Sequence, residues 1–406
     1  MKILLTTDTW SPAVNGVVRS VELLYKELLA LGHDVRVLTL SGTSHSYQEG
    51  NIIYLGSLNA DKVYPGVRVG LRLLSHWLDV LEEWKPDIIH SQNESSTFIP
   101  ATRIAKHCNC PIVHTYHTLW EDYFTLYVLP SEKLSRATVE RLTRIVAERC
   151  TTIIAPTDKI RALLEDYGVD CNIATVPTGI DRSIFHPAED GGAERAAMRK
   201  ELGIPEDAPV LVMIGRLAAE KNNTEVLRLM SEQPSEKRPW LVFVGDGPDR
   251  TNLEKFTKKL DLENTVRFAG MVKPDEVPRW YRFGDAFVCA SITETQGLTY
   301  FEALACGTPV ICKESECMKD IIINGENGWQ WNTDEEFSTA LEQFCTNTDL
   351  RKTLSQNALK TAEPYSSKHF AQQVVEVYGQ AIKNPKLLKK DNIISDIQKS
   401  VSELFE

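Results

Sequence analysis

The sequence predicts an α/β protein made of two doubly wound, parallel-sheet halves, and three observations carry that reading. Short β-prone runs alternate with helical patterns, an order that gives a parallel sheet with helices on both faces. The alternation occurs twice, on either side of the polar, glycine-bearing stretch Ala188-Glu-Asp-Gly-Gly-Ala-Glu194. A chain of 406 residues also exceeds what one ordinary core holds, so two domains are expected.

The first series takes its strands from residues 2–6, 34–40, 52–55, 87–91, 111–114, 152–156 and 173–176. The second takes them from 209–214, 240–244, 265–268, 285–290, 309–312 and 328–331. Each half opens in the same way. Residues 2–6 lead through Trp10-Ser-Pro-Ala-Val-Asn-Gly16 into a helix from about Val17 to Leu31, which Gly32 ends. Val210–Ile214 leads through Gly215-Arg-Leu-Ala-Ala-Glu-Lys221 into another. Leu71, Leu74, Leu78 and Leu81 form one stripe and predict an amphipathic helix over 67–84; Lys133–Arg149 reads as a helix with a more basic face. Helical spacing over Leu298–Cys306 is closed by Gly307 and followed by Pro309. The expected division is 1–185, then 186–364, then a helix at about 365–383 and a tail over 384–406.

Composition narrows the function classes. Hydrophobic content of 42% and charged content of 25% are those of a soluble globular protein. A net charge of −11 argues against nucleic acid as a partner. The apolar run after Met1 is too short for a signal peptide, and no stretch reaches the roughly 18 apolar residues of a membrane span, so a cytoplasmic protein is expected. The nine cysteines include no C-x2-C pair, and Cys289 and Cys312 fall in apolar runs that suit reduced core thiols. The first loop lacks G-x-G-x-x-G, which disfavours a nicotinamide or flavin enzyme.

The chemistry is concentrated in Ser291-Ile-Thr-Glu294-Thr-Gln-Gly-Leu-Thr-Tyr-Phe-Glu302. Glu294 falls in the turn between a strand and a helix. If the helix starts near Leu298, amides around Gly297, Leu298 and Thr299 lie at its positive end, where a phosphate is held. Glu302 is one turn further on and projects from the same face as Leu298. A diphosphate with hydroxyl-bearing groups on either side fits such an arrangement, and so does an ordinary capped helix with solvated glutamates. Arg216 and Lys221 also sit between a strand and a helix. They are the positive groups that a departing diphosphate needs. His117 follows the strand from Pro111 to Thr115, and a histidine just past such a strand is expected to point into the cleft.

Taken in order, G-R-x4-K at Gly215–Lys221, V-G-D-G-P at Val244–Pro248 and E-x-x-G-x4-E at Glu294–Glu302 resemble the retaining GT4 glycosyltransferases of the GT-B fold, over nearly the whole chain. The resemblance implies two Rossmann-like domains facing across a cleft, with the last helix returning to the first domain. It implies sugar transfer from a nucleotide diphosphate with retained anomeric configuration, no metal and no cofactor. Glu294 would hold donor-sugar hydroxyls and Glu302 the ribose. Arg216 and Lys221 would hold the diphosphate with the amides of Gly297, Leu298 and Thr299, and Gly16 would lie against the donor phosphates. Met271 and Val272 would meet the base, and His117 would hydrogen-bond the donor sugar. Metal independence has a physical basis too, because two cations and a helix terminus supply charge that Mg²⁺ otherwise provides.

Two segments are narrower in wording. His114-Thr-Tyr-His-Thr-Leu-Trp-Glu-Asp-Tyr123 and Glu294-Thr-Gln-Gly-Leu-Thr-Tyr300 are similar to bacterial diacylglycerol α-glucosyltransferases, which use UDP-glucose at the inner face of the membrane. Trp10, Val14, Trp120 and Tyr123 would then line the acceptor side, although each also fits an ordinary core or loop role. The basic face of residues 133–149 and the end from Lys386 suit peripheral contact with an anionic membrane. Against this, residues 1–185 hold 18 Lys and Arg against 21 Asp and Glu, so the half as a whole is not basic. A transferase acting on a soluble sugar or a cell-wall precursor would share every donor residue. An epimerase has no motif in its favour, and a noncatalytic nucleotide-sugar-binding partner would need a degraded site.

Overall fold

The computed structural model describes residues 1–13, 15–60, 68–70, 76–121, 131–189, 192–291, 293–386 and 388. The chain divides into two units, Met1–Gly179 together with the chain from Ser367 onward, and Ile180–Ser366. The division falls a few residues before the expected 185. Ile180 donates its amide to the Tyr365 carbonyl (2.7 Å), and Phe185 is buried in a core of the second unit.

In the first unit, strands β1 (Lys2–Thr6), β2 (Asp34–Leu40), β3 (Tyr47–Glu49) and β4 (Ile52–Leu55) are followed by the short β5 (Ser57–Asn59) and β6 (Arg68–Gly70). Then come β7 (Ile88–Ser91), β8 (Ile112–Thr115), β9 (Thr152–Ala155) and β10 (Asn172–Thr175). The main sheet has the order β10-β9-β8-β7-β1-β2-β4-β3 and is parallel except for β3 at the edge. Its central strands are buried on both faces, which is why they read as unbroken apolar runs. The helix Ser367–Lys383 lays Phe370, Val374, Val377 and Tyr378 on the same core as Ile3, Leu5 and the helix Gly16–Ala30.

One expectation for this unit is corrected and a second is qualified. Of the helix expected over 67–84, His76–Trp84 is helical, whereas Arg68–Gly70 is a strand paired with Ser57–Asn59, with Arg68 Nε donating to the Ser41 carbonyl (2.9 Å) and to Ser57 Oγ (2.7 Å); Leu71 and Leu74 lie outside the described residues. The basic face expected over 133–149 is partly paired within the unit. Arg136 pairs with Asp166, Arg144 with Glu140 (2.9 Å), and Arg149 is buried and donates to the Ile145 carbonyl (2.7 Å).

In the second unit β11 (Val210–Ile214), β12 (Trp240–Val244), β13 (Val266–Gly270), β14 (Ala286–Cys289), β15 (Val310–Lys313) and β16 (Gly328–Trp331) form one parallel sheet of order β13-β12-β11-β14-β15-β16. Separate apolar cores fill its two faces, as a doubly wound sheet requires.

Candidate active site

The strand order of the second sheet locates its crevice. The chain runs outward from β11 to β13, then returns to β14 on the other side of β11, so the winding reverses between β11 and β14. At such a reversal the loops leaving the carboxyl ends of two neighbouring strands part, and ligands bind there. β11 supplies Gly215–Lys221 and β14 supplies Ser291–Gly297, the two segments singled out in the sequence. Lys221 Nζ donates to Glu294 Oε1 at 2.5 Å across the gap. Arg216 donates to Glu220 Oε1 at 2.6 Å, and that carboxylate is buried. The two cations are thus matched by two carboxylates, one beneath and one across.

The glycines of V-G-D-G-P have a steric purpose that spacing alone does not reveal. A Cβ on Gly245 would sit 2.0 Å from the Gly215 carbonyl oxygen, and one on Gly247 would sit 2.2 Å from that of Leu217. The loops after β11 and β12 therefore lie backbone against backbone. Gly215 N donates to Val244 O, Leu217 N to Asp246 O and Asp249 N to Leu217 O, each at 3.0 Å, and Gly245 N donates to Gly270 O at 2.8 Å to add the loop after β13. This stack holds Arg216 in place. A Gly245→Ala variant is expected to lose about 2–4 kcal/mol of unfolding free energy, because an overpacked backbone contact adds to a φ of +130°. Urea titration reads this, and an unchanged midpoint would mean the loops can part without cost.

Gly297 has φ +77° and is the N-cap of the helix Leu298–Ala305; a Cβ there would meet the Tyr300 ring at 2.4 Å. A glycine cap offers no side-chain acceptor, so no capping side chain serves the first-turn amides of Leu298 and Thr299. Glu302 lies one turn after Leu298 in the same helix and is buried, and its Oε2 accepts a hydrogen bond from the Tyr281 hydroxyl at 2.8 Å. Met271, one residue past β13, is 72% exposed, and Val272 packs against a core.

The first sheet reverses between β1 and β7. The loop after β1 is fixed to the loop after β7: Asp8 N donates to Asn93 Oδ1 (2.8 Å), and the Asp8 carboxylate accepts from Ser96 N (3.1 Å) and Thr97 N (2.8 Å). Gly16 is exposed in the first turn of its helix, where Asn15 Oδ1 caps Val18 N at 2.9 Å. His117 follows β8, and its Nε2 is 2.8 Å from Oε1 of the buried Gln92. His114, inside β8, is buried with Nε2 3.2 Å from Glu94 Oε1. Trp10 is half-buried, edge-on to Tyr25 (5.8 Å), and Trp120 packs partly against the core. Val14 and Tyr123 lie outside the described residues.

Burial, then the neighbouring His114, depresses the His117 pKa to about 3. His90, enclosed between Tyr378 Oη and Thr115 Oγ1 at 2.7 Å each, is driven well below the ordinary value by burial and then by His117. A folded-state pKa below the unfolded one means that the unfolded chain binds the extra proton. The resulting stability is complete above about pH 6.5 and is lost as pH falls toward the folded values. Unfolding free energy should therefore drop between pH 7 and pH 5, by at most ~1.4 kcal/mol per pH unit for each histidine. His117→Gln should reduce the slope in urea titrations at the two pH values. An unaltered slope would show that His117 is protonated in the folded protein.

Glu220, Gln92 and Tyr281 were not among the sequence candidates. Glu220 carried a signal, four residues after Arg216 with opposite charge. Gln92 and Tyr281 carried none, because their contacts join residues 25 and 21 positions apart.

Two family models match the chain, Glycosyltransferase Family 4 over residues 14–184 and Glycosyl transferases group 1 over 194–361. An alpha-monoglucosyldiacylglycerol synthase of Streptococcus pneumoniae is 32% identical over 97% of this chain and 90% of its own length. The chain belongs to glycosyltransferase family 4. A second synthase of the same name, from Acholeplasma laidlawii, is 30% identical to this family 4 glycosyltransferase over 96% of the chain and all of its own. Among solved structures, Anabaena HepE in complex with UDP and glucose superposes with a TM-score of 0.75 at 17% identity, covering 94% of this chain and 100% of that one. The fold of this family 4 glycosyltransferase is thus GT-B, with two Rossmann-like units.

Proposed function

We propose that this glycosyltransferase moves glucose from UDP-glucose to a hydroxyl of diacylglycerol, with retained anomeric configuration and without a metal. The observation that carries the reading is the similarity, over nearly full length, to two proteins named alpha-monoglucosyldiacylglycerol synthase. In this account Arg216 and Lys221 bind the diphosphate, assisted by Gly297, Leu298 and Thr299 amides, and stabilise the charge that builds on it as the glycosidic C–O bond breaks. Glu294 orients the sugar hydroxyls and Glu302 the ribose. Met271 and Val272 lie toward the base, Gly16 toward the donor phosphates, and His117, neutral at physiological pH, offers a hydrogen bond to the sugar. The acceptor oxygen bonds to the anomeric carbon on the face the diphosphate leaves, and a β-phosphate oxygen takes the acceptor proton.

Among the described residues no helix is long and apolar enough to cross a membrane. The pairing of Arg136 and Arg144 with carboxylates of the same unit favours a second reading, transfer to a soluble sugar or cell-wall precursor with the same donor residues. Incubation with radiolabelled UDP-glucose, diacylglycerol vesicles and a panel of soluble sugars separates the two. Label in the organic phase supports the lipid acceptor, label on a water-soluble sugar replaces it, and label remaining on UDP throughout removes UDP-glucose as donor.

A further inference from the structure

The second unit contains a buried pair of which the donor account uses only Glu302. Tyr281 has no solvent exposure, and its hydroxyl donates to Glu302 Oε2 at 2.8 Å. Its position is fixed from three sides. The ring is edge-on to Phe185 (centroids 6.1 Å, 65°) and Phe287 (5.7 Å, 63°), and its backbone carbonyl accepts from the buried Thr308 hydroxyl at 2.7 Å. Glu302 is held less tightly by its own chemistry, since the terminal torsion of a glutamate is broad and nearly two-fold. A carboxylate that must accept hydrogen bonds from a ribose needs that torsion set before the ligand arrives, and a buried carboxylate needs a donor in any case.

We infer that Tyr281 is a positioning residue for donor recognition: its hydroxyl holds one oxygen of Glu302 and so sets the plane in which the carboxylate meets the ribose hydroxyls of a nucleoside diphosphate. This rests on the assignment of Glu302 to the ribose. Tyr281 sits on the helix Val277–Phe283, which precedes β14, and Glu302 on the helix after it, so the two helices flanking this strand are joined through the recognition group. The selectivity of the site for ribose over deoxyribose then depends on a phenol that need not touch the nucleotide.

The test is calorimetric binding of UDP, 2′-deoxy-UDP and 3′-deoxy-UDP to the full chain, its Tyr281→Phe variant, its Glu302→Gln variant and the double variant. The wild-type protein should prefer UDP to at least one deoxy analogue by about tenfold or more, the size expected of a hydrogen bond to a charged group. Tyr281→Phe keeps the ring between Phe185 and Phe287, and should cut that preference to about twofold while leaving affinity for the deoxy analogue nearly unchanged. The double variant should match Glu302→Gln, because a positioning group has nothing to add once its client is altered. A merely structural tyrosine would weaken all three ligands in proportion and leave the ratio intact, which would overturn the inference. A wild-type ratio near one would instead remove Glu302 from the ribose, and with it the basis for Tyr281. If Tyr281→Phe fails to fold, Glu302→Gln against wild type still tests the basis, and Glu302→Asp, whose shorter side chain withdraws the carboxylate from the Tyr281 hydroxyl, must lower the ratio.

Discussion

Glu294→Gln is expected to lower sugar transfer by about a hundredfold or more, the scale of losing one preorganised group that acts on the reacting centre. The side chain is mostly buried, with 16% exposure, and its Oε1 is bonded to Lys221 Nζ. Glutamine keeps the shape and gives up the charge. Two consequences separate from each other. The sugar loses an anionic acceptor for its hydroxyls, so turnover falls. Lys221 loses its counter-charge, so the site becomes more positive and UDP, which carries the diphosphate but no sugar, should bind as tightly as before or more tightly. Turnover and UDP calorimetry on one preparation read both effects. Near wild-type turnover would take Glu294 out of the mechanism, and a large loss of UDP affinity would make it a structural partner of Lys221 instead.

The legible part of this protein is what local chemistry encodes. Strands buried on both faces, such as Val210–Ile214, read as unbroken apolar runs, and Gly32 and Gly307 end their helices in the left-handed conformation. The loop residues Arg216, Lys221 and Glu294 were identifiable because a strand, a loop and a helix follow in order, and the sheet then brings Lys221 and Glu294 together at its reversal point. What the sequence hid depends on pairing across space. The β5–β6 pairing joins residues 57–59 to 68–70, and nothing local to Arg68–Gly70 marks it as a strand instead of a helix start. The burial of Glu302 depends on Tyr281, which belongs to a different helix. Arg136 read as part of a basic face because its partner, Asp166, lies in another segment.

Arg216→Ala should weaken UDP binding by about tenfold to a hundredfold, since a hydrogen bond between charged groups contributes ~1.5–3 kcal/mol. The same change has a second effect that the Arg216–Glu220 pair makes unavoidable. Glu220 is buried, and removing the arginine leaves its carboxylate without the cation it is bonded to at 2.6 Å. A fully buried pair broken from one side costs ~3–5 kcal/mol; Arg216 is 37% exposed, so screening brings the expected cost to about 1–2 kcal/mol. A loss of UDP binding in the single variant could then come from a disturbed loop. The double variant Arg216→Ala with Glu220→Gln resolves this, because the neutral amide no longer needs a counter-charge. Its unfolding free energy should return most of the way to wild type while UDP affinity stays low. Recovery of both together would make the arginine a partner of Glu220 alone and leave Lys221 and the Gly297–Thr299 amides to hold the diphosphate.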